Sequence, residues 1–148
     1  ELMKGGHNFN TAGGTPAGNA FKLALYTNSA SLGTTTTVYS TSNEVTNASG
    51  SAYAAGGKAL TNTGVSTSTV TSFTDFADLS VANGTAWTSA SFTTRGCLIY
   101  NTTAVSGFTT NRAVCSIDFG GDKTVSNGTF SIEFPTNSAS AAIIRLTS

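Results

Sequence analysis

Arg95-Gly-Cys-Leu-Ile-Tyr100 and Ala113-Val-Cys-Ser-Ile-Asp-Phe119 are the stretches on which the fold turns. Each is short and predominantly apolar, and a polar loop centred near Gly107 separates them. This pattern predicts two buried strands joined as a hairpin. A symmetric hairpin pairs Tyr100 with Arg112 and Cys97 with Cys115. Gly120-Gly121, directly after the second stretch, predicts a tight turn with positive φ.

Outward from this hairpin the same texture continues. Phe21-Lys-Leu-Ala-Leu-Tyr-Thr27 alternates, with Phe21, Leu23 and Leu25 on one face and Lys22, Ala24 and Tyr26 on the other. Further strands are expected over 58–65, 70–76, 92–100 (bent at Gly96), 129–134 and 142–146. Residues 34–40 are β-prone, but their four consecutive Thr leave no defined buried face. Gly56-Gly57 between apolar neighbours predicts a bend or bulge. Trp87 reads as a core anchor at the start of a strand.

No helical periodicity competes, so the chain reads as all-β: an antiparallel β-sandwich, jelly-roll-like, over residues 20–148. Residues 1–19 are small, polar and glycine-rich. They read as an irregular N-terminal arm whose large apolar groups are Leu2, Met3 and Phe9.

Composition narrows the function classes. The 148 residues suit one domain, and 9% are charged against a usual ~25%. Seven basic residues balance seven acidic ones, which leaves no electrostatic footprint for nucleic acid or an anionic membrane surface. Solubility falls to 46 Ser and Thr and 12 Asn, and near-zero net charge favours association. No stretch approaches the ~20 apolar residues of a spanning helix.

Catalytic chemistry finds no kit. His7 is the only histidine, and no G-x-S-x-G elbow accompanies it. The acids are scattered rather than paired. Asp118-Phe-Gly-Gly-Asp122 and Asp75-Phe-Ala-Asp78 resemble fragments of calcium loops, yet neither keeps the EF-hand spacing, and turn caps explain them more simply. Two cysteines without CxxC or HxxxH spacing make no metal site, and two reduced core thiols are favoured over a bridge. No cofactor is expected. The N-x-[ST] sequons at Asn47, Asn83, Asn101 and Asn127 number what chance gives, 12 × 46/148 or about four.

The order Phe21-Lys-Leu-Ala-Leu-Tyr-Thr27, Asn43-Glu-Val45, Tyr53-Ala-Ala-Gly-Gly-Lys-Ala-Leu60, Thr94-Arg-Gly-Cys-Leu-Ile-Tyr-Asn101, Ile117-Asp-Phe-Gly-Gly-Asp122 and Gly128-Thr-Phe-Ser-Ile-Glu-Phe-Pro135 resembles a family of small β-rich virion proteins of tailed bacteriophages. The resemblance implies a non-enzymatic structural part, located on the virion and assembled in the host cytoplasm. The expected role is capsid decoration, or cement, with the major capsid protein and copies of itself as partners. Leu2, Met3 and Phe9 of the arm are the expected contacts. A tail or fibre component is the alternative within the particle. A carbohydrate-binding or adhesin module is the alternative outside it, with Phe108 as its exposed aromatic.

Overall fold

β1 (Phe21–Tyr26) alternates as its sequence requires. Phe21, Leu23 and Leu25 enter the main core, while Ala24 and Tyr26 enter a smaller cluster on the opposite face. Both faces are buried because Ala30, Leu32 and Tyr39, from the segment after β1, cover the second one. The computed structural model describes residues 4–46, 48 and 50–148, and among them strands and loops occur without an α-helix.

The remaining strands are β2 (Lys58–Leu60), β3 (Asn62–Ser68), β4 (Thr71–Phe76), β5 (Trp87–Asn101), β6 (Arg112–Phe130) and β7 (Ile144–Thr147). They form two antiparallel sheets, ordered β2-β1-β5-β6 and β3-β4-β7. The sheets meet through aromatic rings. Phe21 of the first lies edge-on to Phe76 of the second, with centroids 5.5 Å apart. Trp87 is buried, 6.0 Å from Phe130 and 6.2 Å from Tyr53, as its size and position suggested.

The hairpin differs from its symmetric expectation. Tyr100 pairs with Ala113 and Asn101 with Arg112, but a bulge at Val114 then shifts the register, so Cys115 opposes Ile99 and Cys97 opposes Ile117. The cysteines are therefore offset rather than opposed, and both are free thiols.

Gly120-Gly121 makes no turn. β6 runs straight through it, and Arg95 of β5 alone faces four residues of β6, 119–122, between the Gly96–Asp118 and Thr94–Lys123 pairs. This wide bulge needs positive φ at Gly120 (+74°). The strand expected over 129–134 is thus the end of β6 plus a bridge from Ile132 to Leu79. Residues 34–40 contribute a bridge from Val38 to Arg112.

The long excursion between β1 and β2 is fastened by one carboxylate. Glu44 is buried, and its Oε1 accepts the Tyr53 hydroxyl at 2.6 Å and the Gly56 N–H at 2.7 Å. Its Oε2 accepts the Tyr39 hydroxyl at 2.7 Å. Tyr53 also takes the Leu25 N–H at 2.9 Å, which ties the cluster to β1. Tyr100 donates to the Gly56 carbonyl at 2.8 Å and stacks on Tyr39, while Tyr26 donates to the Ser40 carbonyl. All four tyrosines of the chain therefore converge on this excursion.

The glycine pair belongs to the same device. A Cβ on Gly57, at φ +68°, would stand 1.8 Å from the Leu23 carbonyl oxygen, so backbone meets backbone there with no room for a side chain.

Two outcomes follow. Glu44→Ala leaves the buried Tyr53 hydroxyl and Gly56 N–H without their acceptor and should cost about 3 kcal/mol in urea unfolding, whereas Glu44→Gln keeps an acceptor and should cost less. Burial pushes Tyr26 and Tyr100 up to about 12 and holds Tyr39 and Tyr53 higher still. The fold keeps these phenols neutral while the unfolded chain ionises near pH 10. Their contribution is therefore whole below pH 10 and is lost as pH rises through about 12. Ultraviolet absorbance should show tyrosinate appearing together with loss of near-UV circular dichroism; titration near pH 10 in an intact fold would contradict this.

Candidate interaction surface

The expected arm is largely part of the body. Phe9 is buried, stacked on Phe21 with centroids 4.8 Å apart, and 6.3 Å from Phe76. Its ring is consumed by the chain's own core, which corrects its expected role as a partner contact. Leu2 and Met3 lie outside the described residues.

Asparagines hold the segment in place. Asn101, fully buried at the end of β5, donates through Nδ2 to the Asn19 side chain at 2.9 Å and to the Gly6 carbonyl at 3.2 Å. His7 Nδ1 lies 3.1 Å from the same amide. Asn62 Nδ2 reaches the Asn10 and Asn19 carbonyls at 2.8 and 3.0 Å. Arg112, also fully buried, donates to the Gly6 and Thr109 carbonyls. A segment poor in apolar residues is thus fixed by amides, and the sequon at Asn101 is spent inside the protein.

Phe108 is half-buried, and the Arg112 guanidinium stands 5.3 Å from its ring centroid. Among the described residues the exposed large apolar side chains are Val38, Val65, Val70, Val81 and Leu146, none of them aromatic. A stacking platform for a sugar would need exposed rings.

The acidic fragments are used as local fasteners. Arg95 Nε lies 2.9 Å from Asp118 Oδ1, and its Nη1 is 4.0 Å from Asp122, so the cation spans the bulge. The guanidinium and the Gly120 N–H hold the Asp118 carboxyl below the usual range. Asp75 is buried and accepts the Phe76 and Ile143 N–H groups, and Asp78 accepts that of Phe134. Burial pushes the Cys97 thiol up to about 12 and Cys115 to about 11, so neither is a ready nucleophile at neutral pH.

What stands out is an incompletely covered side of the core. Across residues 113–148, Ala142 is the sole buried residue. Yet Val114, Ile117, Phe119, Val125, Phe130 and Phe134 of this layer, with four further apolar residues, pack on the core while still meeting water. The three-stranded sheet is too short to cover strands of 15 and 19 residues. Between the N-terminal segment and the β3-β4-β7 sheet an open groove of about 500 Å³ runs past Phe9, Val65, Phe73, Ile144 and Leu146. Sequence reasoning missed this layer because its apolar residues look the same whether fully or half covered.

No family model, curated protein or solved structure matches the chain.

Asn101→Ala removes the latch on the N-terminal segment. Limited proteolysis should then cut within residues 5–19 while the β-body stays intact, and an unchanged digestion pattern would show that the other amides suffice.

Proposed function

We propose that this chain is a non-enzymatic structural protein of a tailed-bacteriophage virion, a capsid decoration or cement protein that docks on the major capsid protein and braces the shell. The observation that carries the reading is the half-covered apolar layer over residues 113–148, on a sparsely charged body with no net charge. Such a layer is stable yet gains further from being covered, because each apolar Å² removed from water is worth roughly 25 cal/mol before the costs of association. The motif order described above supports the virion setting. On the same reading the two sheets form a jelly-roll-like sandwich, a stiff body suited to bracing.

The sparsely charged, hydroxyl-rich surface, with no net charge, fits a partner met by shape and desolvation rather than by electrostatic steering. A tail position and a sugar-binding role each lack a feature of their own here. For the sugar, the missing feature is an exposed aromatic among the described residues.

Particles stripped of the protein should lose resistance to heat and to low salt, and adding the purified chain back should restore it. Equal stability with and without the chain would contradict a cement role.

A further inference from the structure

We propose that Trp87, Tyr53, Glu44 and Tyr39 form a proton-coupled relay that carries a one-electron oxidation out of the core, from the indole of Trp87 to the phenol of Tyr39. Trp87 is the one tryptophan of the chain, and it is buried. Among the described residues three rings lie against it, those of Tyr53, Phe92 and Phe130. Of these, Tyr53 gives up an electron readily and phenylalanine does not. The Tyr53 ring is stacked on the indole, with centroids 6.2 Å apart and planes inclined by 20°, a contact that an electron crosses without a further carrier.

A phenol yields its electron readily only as it sheds its proton, because the oxidised phenol is a strong acid. Tyr53 has the acceptor in place: its hydroxyl donates to Glu44 Oε1 at 2.6 Å, within reach of direct proton transfer. Its oxygen also takes the Leu25 N–H at 2.9 Å, which fixes the phenol against the carboxylate. On the other side Tyr39 donates to Glu44 Oε2 at 2.7 Å. One carboxylate thus serves two phenols, one on each oxygen.

The steps balance in electrons and protons. An ultraviolet photon, with dioxygen as the acceptor that leaves as superoxide, removes one electron from Trp87. Tyr53 returns an electron to the indole and passes its proton to Oε1. Tyr39 then gives an electron to the Tyr53 radical and its own proton to Oε2, while Oε1 hands its proton back to Tyr53. Trp87 and Tyr53 are restored, with a radical on Tyr39 and one proton on Glu44. A thiolate reductant supplies the last electron, and the Glu44 proton returns to Tyr39.

Charge sets the direction. Lys58 Nζ stands 5.4 Å from the centroid of the Trp87 ring, so its ammonium opposes a positive hole on the indole, whereas the Glu44 carboxylate favours oxidation of the phenols bonded to it. Exposure sets the exit. Tyr26, Tyr53 and Tyr100 are buried, and Tyr39 alone of the four tyrosines is only half-buried.

Laser flash photolysis of the full chain should show the Trp87 radical decaying as a tyrosyl radical grows, at a rate independent of protein concentration and slower in heavy water. Tyr53→Phe removes the donor and Glu44→Gln the base, and each should slow that decay by about tenfold or more. Near-UV circular dichroism checks that each variant is folded. Tyr39→Phe, which keeps the Tyr53–Glu44 pair, should leave the decay of the Trp87 radical unchanged but hold the tyrosyl radical on buried Tyr53, where added thiol quenches it far more slowly. No tyrosyl growth in the unaltered chain, a Trp87 radical equally long-lived in folded Tyr53→Phe, or thiol quenching unaffected by Tyr39→Phe would overturn the relay.

Discussion

The Glu44 carboxylate is the constraint on which the first sheet depends. A buried carboxylate without enough donors would be costly, and this one takes three: two phenols and a backbone N–H. Through Tyr53 it reaches the backbone of β1, and Tyr100 joins the same turn to β5. The long excursion between β1 and β2 therefore lies over one face of the sheet as a fixed cover. That cover leaves the opposite face to be closed by the second sheet and the C-terminal layer.

Closure on that side is incomplete for a geometric reason. The β5–β6 hairpin is far longer than any strand of the second sheet, and the wide bulge at 119–122, spanned by Arg95, changes its register over the core. Apolar side chains of residues 113–148 consequently sit between core and solvent. On the proposed reading, a rigid frame with one half-covered side suits assembly: the frame keeps its shape while association would hide the rest.

Much of the architecture was legible in the residues. The alternation of 21–27 placed both faces of β1, Trp87 fell where its bulk demanded, and Gly56-Gly57 marked the bend that leads into β2. The hairpin register was not legible, because bulges at Val114 and at 119–122 insert residues that the alternation does not announce. Gly120-Gly121 looked like a turn because positive φ serves a bulge as well as a turn. Phe9 looked like an arm residue because its polar neighbours hide that asparagines fix the segment and seat this ring against Phe21. The tyrosine cluster was hidden too: Glu44 and its partners are separated in sequence, and the excursion's path over the sheet brings them together.

Amide hydrogen exchange, measured on the free chain and on the chain bound to the capsid shell proposed as its partner, separates the frame from the contact surface most directly. Binding should slow exchange within residues 113–147 and leave residues 39–57, around Glu44, unchanged. Unchanged exchange in β6 and β7, with protection appearing instead around Glu44, would show that the half-covered layer is not where this protein meets its partner.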